Sequence, residues 1–123
     1  MNFSESPEFA KEFKGFAKKW RSLKADLDDV KLTIEKLYTP QEGVKLDEFR
    51  ELFFSGKRAA IIYKSNTCEV VKMRLHCASL SKKELMRLIF VFTQTARDVT
   101  FIELYAKNEK SREDKKRIKK YIQ

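Results

Sequence analysis

Lysine, arginine and histidine alternate with apolar residues in the segment CEVVKMRLH, residues 68–76. In an extended strand, successive side chains point to opposite faces, so Lys72, Arg74 and His76 are predicted to share one face. Lys and Arg head groups donate charge-assisted hydrogen bonds to phosphate oxygens, which suits this row to a phosphodiester. His76 is the only histidine in the chain, and imidazole is a common acid or base. The alternative for His76 is an ordinary polar residue at the end of a strand.

A second set of charged residues lies at the ends of the two apolar segments that follow. Arg87 is the only charge in LMRLIFVF, and an arginine on a rigid strand can hold a phosphate through two parallel hydrogen bonds. Lys107, Glu109 and Lys110 come directly after VTFIELYA. If the strands lie side by side, these groups converge with the first row on the open side of the sheet. The alternative is a solvated sheet face without a ligand.

The net charge of +9 is concentrated in the C-terminal half of the chain. Residues 57–123 hold 17 Lys and Arg against 7 Asp and Glu, whereas residues 1–56 hold 10 against 11. Two separate stretches are basic, residues 57–95 and 107–123, and a fold that joins them forms one cationic patch suited to a polyanion. The Lys-rich end of the chain is either a solvated face or a non-specific attraction for RNA.

The N-terminal half supplies helices that could support such a surface. SPEFAKEFKGFAKKW places Ser6 at an N-cap and Pro7 at the first helical position, and its aromatic residues recur every three or four positions. A second apolar stripe of the same period runs from Leu23 to Leu37, so the two helices are predicted to form an antiparallel hairpin. LDEFRELFF is a candidate short helix inside the connection 38–58.

After Gly56 the apolar period changes from that of a helix to that of a strand. AAIIY, CEVVKMRL, MRLIFVF and VTFIELYA are short segments rich in β-branched and aromatic residues, which predict an antiparallel meander. The third segment is apolar at nearly every position and is predicted to be central. NFS at the start of the chain is a candidate edge strand. Residues 111–122, with Ser111 and Asp114 in the two positions of a capping box, predict a short, very basic helix.

These elements predict one domain of the α+β class over residues 1–123. Its expected architecture is an N-terminal helical hairpin on a sheet of four or five mostly antiparallel strands, followed by a short basic C-terminal helix. No apolar span of 18 residues and no apolar leader are found, so a cytoplasmic protein without a membrane partner is expected. Cys68, Cys77 and His76 lack the spacing of a metal site, so no metal is expected.

The order of elements and four of the quoted segments resemble the RelE/ParE superfamily of toxins from bacterial and archaeal toxin-antitoxin pairs. SPEFAKEFKGFAKKW looks like the family's opening helix, VVKMRL like its basic strand and MRLIFVF like its central strand. LYAKNEK looks like the end of the last strand in the RelE-like and HigB-like branches. The resemblance covers almost the whole chain and implies a RelE-like fold and an mRNA interferase that inhibits translation.

The resemblance also implies the chemistry and the partners. Such an endoribonuclease, the toxin of a type II system, cleaves mRNA, usually on the ribosome, and its cognate antitoxin protein silences it. The 2′-hydroxyl of the RNA attacks the adjacent phosphate, without a metal or any other cofactor. The protein must then remove one proton, stabilise a pentavalent phosphorane and protonate the leaving 5′-oxygen.

Each charged candidate can be given a role in that reaction. Arg87 is the predicted transition-state ligand, and Lys72 and Arg74 are predicted to flank the scissile phosphate. Glu109 is predicted to act as a general base or as an orienting acceptor, the alternative being a salt bridge with a neighbouring lysine. The predicted RNA-binding residues are Lys107, Lys110, His76, Lys82 and Lys83.

The chain departs from the family pattern at two places. KELMRL replaces a Gly-Gly-Tyr-Arg run, so Met86 stands in place of the tyrosine, and Asn108 stands where one branch has a catalytic arginine. The HigB-like ending KNEK lacks that arginine too, which favours the HigB-like branch. Two other classes stay open: a ParE-like inhibitor of DNA gyrase, and a non-catalytic module that binds RNA or the ribosome.

Overall fold

A computed structural model describes residues 1–122 of the chain. Over these residues the backbone forms five strands and four helices, which confirms the predicted α+β class. In chain order they are β1 (Asn2–Glu5), α1 (Pro7–Lys19), α2 (Leu23–Tyr38), α3 (Leu46–Phe54), β2 (Ala59–Lys64), β3 (Cys68–Leu75), β4 (Met86–Thr93), β5 (Asp98–Ala106) and α4 (Lys115–Lys119). Within the described range, no helix is long and apolar enough to cross a membrane.

The five strands form one mixed sheet in the order β1-β5-β4-β3-β2. Strands β2 to β5 pair as the predicted antiparallel meander. β4 is the middle strand, as the apolar sequence MRLIFVF predicts. The candidate edge strand NFS is present as β1, which pairs parallel to β5 and is joined to it by a 3.1 Å hydrogen bond between the Ser4 and Thr100 hydroxyls.

The first helix begins and packs as its sequence predicts. The Ser6 hydroxyl caps α1 by accepting a 3.1 Å hydrogen bond from the Phe9 N–H. The Phe9 ring is fully buried, and its centroid lies 5.2 Å from that of Phe101 on β5. The next helix, α2, buries the predicted stripe from Leu23 to Leu37. The antiparallel packing of α1 against α2 stays a prediction.

The main core lies between these helices and one face of the sheet. Val71, Met73 and Leu75 of β3 belong to it, as the strand alternation predicts. The short helix expected from LDEFRELFF is present as α3. Its aromatic residues are partly buried against the main core, whereas Leu52 is 74% exposed.

The end of the chain covers part of the opposite face of the sheet, which corrects the expectation for residues 111–122. The helix is shorter than predicted, because α4 begins after Asp114, whose Oδ1 accepts a 3.0 Å hydrogen bond from the Arg117 N–H. Ile118 is buried in a second apolar cluster on the sheet. The other buried members of this cluster are Cys68, Val70, Ile89, Val91, Ile102 and Tyr105. Part of the tail is therefore core, since these strand residues would otherwise expose apolar surface to water.

Candidate phosphate-binding site

Four neighbouring segments contribute one residue each to a row across the sheet face opposite the main core. Arg74 of β3 pairs with Arg87 of β4, and Arg87 pairs with Tyr105 of β5. The carbonyl of Arg58, directly before β2, accepts a 2.7 Å hydrogen bond from the Arg74 N–H. Side chains two residues apart on a strand share a face, so Lys72 lies on the same face as this row.

A shallow groove of about 260 Å³ lies beside this row, and we call it the basic groove. Its charged lining consists of Lys57, Arg58, Lys72, Arg74, Arg87 and Glu113. Five cations against one carboxylate attract a polyanion, and guanidinium groups bind phosphate through paired hydrogen bonds. The structure therefore brings together three of the predicted site residues, Lys72, Arg74 and Arg87.

The turn before β4 orients the arginines of the groove. Arg87 Nη1 donates hydrogen bonds to the carbonyl oxygens of Glu84 at 2.6 Å and Met86 at 3.3 Å. The Glu84 carboxylate lies 2.9 Å from Arg58 Nη2 and 3.9 Å from Arg74 Nη1. Burial and the neighbouring charge of Arg74 lower the pKa of Arg87. Because the two guanidinium groups repel each other, an anion bound beside both of them is stabilised.

Lys72 lies further along β3 and pairs with the tail. Its Nζ is 2.9 Å from Glu113 Oε2, and the two side chains are 26% and 14% exposed. Burial alone would lower the pKa of Lys72, but the hydrogen bond with Glu113 and the nearby Tyr105 hydroxyl raise it above its ordinary value. Burial would raise the pKa of Glu113, and the same ion pair outweighs this and lowers it. Lys72 is therefore charged and already has a carboxylate partner.

Tyr105 is a member of the row that the sequence did not single out. It is 4% exposed, and its hydroxyl finds no hydrogen-bond partner at ordinary distance among residues 1–122. Tyr105 pairs with Arg87 across β4 and β5, so its side chain lies on the face that also carries Lys72. The Lys110 ammonium lies 5.6 Å from the Tyr105 ring centroid. A buried polar atom without a partner is uncommon in proteins, so this hydroxyl is a functional candidate.

The predicted residues that follow β5 do not line the basic groove. Lys110 pairs with the fully buried Glu103, and Lys107 Nζ donates a 2.8 Å hydrogen bond to the Ser111 carbonyl. Glu109 is exposed and forms no ion pair with any described residue. The alternative of a salt bridge between Glu109 and a neighbouring lysine is therefore not observed, because Lys110 is bonded to Glu103 instead.

The other predicted RNA-binding residues also lie apart from the basic groove. β3 ends one residue before His76, so the alternation that predicts a row with the two strand cations stops there. His76 is exposed and lines a larger groove of about 480 Å³ beside α2 and α3. Lys82 and Lys83 are exposed in the loop before β4, where Lys83 Nζ donates a 3.0 Å hydrogen bond to the Ala78 carbonyl. A role of these three residues in RNA binding stays a prediction.

The two cysteines belong to apolar clusters on opposite faces of the sheet. Cys77 is part of the main core, and Cys68 is part of the second cluster. Both are free thiols, and each packs as a small apolar side chain. In the part of the chain that the structure describes, no group of three or more His, Cys, Asp or Glu residues could hold a metal ion.

Five residues of this surface lie outside the sequence prediction: Lys57, Arg58, Glu84, Tyr105 and Glu113. The pairing of β5 with β4 depends on a β-bulge next to Ile89, which shifts the register and has no local signal in the sequence. Glu113 meets a lysine 41 residues earlier in the chain. Contacts of this kind depend on how the whole chain folds, so periodicity within one segment cannot reveal them.

Comparison with known proteins adds no relative: no protein-family model, no curated protein and no solved structure matches the chain. The likeness to the RelE/ParE superfamily therefore depends on the segments that carry it. The fold and the site define an α+β protein with a basic groove on the sheet face opposite its main core.

Proposed function

We propose that the chain is a RelE-like toxin of a type II toxin-antitoxin system, an endoribonuclease that cleaves mRNA on the ribosome without a metal. The observation that carries the proposal is the pairing of Arg74 with Arg87 on adjacent strands, in a groove that also contains Lys72. This arrangement supports phosphate binding at rigid positions of a sheet, which suits stabilisation of a transition state. In the proposed RelE-like fold, α1 and α2 form an antiparallel hairpin.

The proposed reaction balances without a cofactor. The RNA 2′-oxygen attacks the adjacent phosphorus, the bond from phosphorus to the 5′-oxygen breaks, and a 2′,3′-cyclic phosphate and a 5′-hydroxyl form. Arg87 and Arg74 stabilise the extra negative charge of the phosphorane. One carboxylate accepts the 2′-hydroxyl proton. The candidates are Glu109, from the sequence, and Glu84, because it already lies 3.9 Å from Arg74. The protonated base returns a proton to the leaving 5′-oxygen, so the net proton count is unchanged.

The cognate antitoxin is proposed to cover the basic groove with acidic and apolar segments. Residues 57–123 hold 17 basic against 7 acidic residues, and a partner of opposite charge associates with such a surface quickly and selectively. In this proposal the protein acts in the cytoplasm, where mRNA, the ribosome and the antitoxin are its partners.

The test of this function is mRNA cleavage in a translating extract, detected by primer extension. Arg74→Ala and Arg87→Ala should each slow cleavage by about ten-fold or more, because each removes one electrostatic stabiliser of the transition state. Arg21→Ala is the matched control, since Arg21 is exposed between α1 and α2 and its loss changes the net charge equally. Circular dichroism and a melting curve establish that each variant is folded. Equal cleavage rates for all three variants would refute the placement of the site.

A second candidate, a non-catalytic module that binds RNA or the ribosome, has one observation in its favour. Glu109 and His76, two predicted acid-base groups, lie outside the groove that gathers the arginines. Ribosome or RNA binding that depends on Arg74 and Arg87, without codon-phased cuts, identifies this function. A DNA supercoiling reaction in parallel tests for a ParE-like gyrase inhibitor.

A further inference from the structure

Glu113 extends from the tail into the basic groove and bonds to Lys72. Its Oε2 accepts a 2.9 Å hydrogen bond from the Lys72 ammonium, and the carboxylate side chain is largely buried. The other charged residues that line the groove are all cations. A carboxylate and a phosphate accept the same charge-assisted hydrogen bonds, so Glu113 occupies a position that suits an RNA phosphate.

The Tyr105 hydroxyl gives a second, independent sign of a ligand. Tyr105 is buried on the face that carries Lys72 and Arg87, and no residue among 1–122 accepts a hydrogen bond from its hydroxyl. A buried hydroxyl without an acceptor destabilises the folded state. Phenylalanine would fill nearly the same volume without this cost, so folding alone does not explain a tyrosine at this position. A phosphate oxygen bound by Lys72 would supply the acceptor that this hydroxyl lacks.

Separate contacts hold the tail before and after Glu113. Before it, the Lys110 ammonium pairs with the buried carboxylate of Glu103. The buried carboxylate of Glu103 accepts a 2.8 Å hydrogen bond from the Asp114 N–H. Arg117 of α4 lies 2.8 Å from Glu12 of α1. The Glu113 side chain can therefore leave its lysine while the neighbouring backbone stays attached to the rest of the protein.

We propose that Lys72 and the Tyr105 hydroxyl form a subsite for one RNA phosphate, that Glu113 closes this subsite in the free protein, and that bound RNA displaces the carboxylate. The proposal rests on the proposed function for the identity of the ligand as RNA. Glu113 is then an internal competitor, so the apparent affinity for RNA is lower than the intrinsic affinity of the open groove.

The test is equilibrium binding of a fluorescent single-stranded RNA oligonucleotide at physiological salt. Glu113→Gln should bind about five-fold more tightly than Glu42→Gln, because only the first substitution removes the competitor from the subsite. Glu42 is exposed between α2 and α3 and has no ion pair within residues 1–122. Both variants change the net charge by the same amount, so general electrostatic attraction cancels in the comparison. In a Lys72→Met background, the advantage of Glu113→Gln should disappear.

Tyr105→Phe separates a ligand-binding role of the hydroxyl from a structural one. The variant should bind the RNA about five-fold more weakly, because one hydrogen bond to phosphate is lost, while its melting temperature stays equal to or above the parental value. Equal affinities of Glu113→Gln and Glu42→Gln, an unchanged affinity of Tyr105→Phe, or no RNA binding by the parental chain would each overturn the subsite. Cleavage is measured separately by primer extension. If no cuts are found but these differences in binding remain, only the proposed nuclease activity is refuted.

Discussion

Removal of the charge of Glu103 tests how the tail is attached to the sheet. Glu103 is fully buried on β5, where its carboxylate binds the Lys110 ammonium and accepts a 2.8 Å hydrogen bond from the Asp114 N–H. The Lys110 side chain is 41% exposed, so it can return to water when its partner becomes neutral. The loss of stability in Glu103→Gln should therefore be smaller than for a pair in which both groups are buried.

The expected magnitude follows from the lost charged hydrogen bond. Such a bond contributes roughly 1.5–3 kcal/mol, so Glu103→Gln should lower the free energy of unfolding by about 2 kcal/mol. In a chain of this size, that loss corresponds to a fall in Tm of about 8 °C. Glu103→Ala should lower the free energy of unfolding by about 3–4 kcal/mol, because it also leaves the Asp114 N–H unpaired and opens a cavity.

Two measurements distinguish loss of the whole fold from release of the tail alone. Trp20, the only tryptophan, stacks on Phe16 at 5.3 Å, so its fluorescence during urea unfolding reports the helical side of the main core. Hydrogen exchange of the Asp114 amide reports the tail. Glu109→Gln is the matched control, since Glu109 is exposed and has no ion pair within residues 1–122. If Glu103→Gln were as stable as this control, with the Asp114 amide still protected, the reasoning would be refuted.

Two further predictions concern a buried phenol and a turn. Tyr38 donates a 2.5 Å hydrogen bond to the buried Glu69, and burial together with this carboxylate raises the pKa of Tyr38. Above the ordinary pKa of tyrosine, the unfolded state loses the Tyr38 phenol proton and the folded state keeps it. The stability that this hydrogen bond contributes is therefore complete below about pH 10 and is lost at higher pH. Tyr38→Phe should lower the free energy of unfolding by about 1–2 kcal/mol at neutral pH. Urea titrations at rising pH should also show a smaller fall in stability for this variant than for the parental chain. An equal fall in both proteins would contradict the role given to Tyr38. Gly43 has a φ of 77°, which is strained for residues with a side chain, so Gly43→Ala should lower the free energy of unfolding by about 1 kcal/mol. Gly56→Ala is the control, because a Cβ would meet no atom at either glycine and only Gly43 has a positive φ. Equal melting temperatures of the two variants would contradict this prediction.

The strands are predictable from the sequence because each carries its own periodic signal. β3 has the predicted bounds, and the other three meander strands differ from their predicted segments by at most one residue at either end. Ser6 and the proline after it likewise indicate the first residue of α1. Alternation in β3 also predicts correctly that Lys72 and Arg74 lie away from the main core. These features depend on residues near one another in the chain, which is why local reasoning finds them.

The register of the sheet and the shape of the tail depend on distant residues. Bulges next to Ile61 and Ile89 decide which side chains are opposite each other, and neither has a local signal. The tail is predicted to be helical from Ser111, but the structure has α4 beginning only after Asp114. The Asp114 N–H donates to Glu103 on β5, so a tertiary hydrogen bond replaces the one that a longer helix would use.

The charge of the tail has a structural explanation that differs from that of the groove. Three tail cations form ion pairs with acidic residues elsewhere in the fold, Lys110–Glu103, Arg117–Glu12 and Lys120–Glu8, and the tail carboxylate of Glu113 pairs with Lys72. A cation that stays paired with a carboxylate does not neutralise an RNA phosphate and so does not release the counterion of that phosphate, which is why it adds little to affinity for RNA. Arg74 and Arg87 differ from these cations, because Arg74 meets Glu84 only at 3.9 Å and Arg87 is bonded to carbonyl oxygens. The cations that the structure gathers at the basic groove therefore lie on the sheet and directly before β2, although the tail has the higher density of positive charge in the sequence.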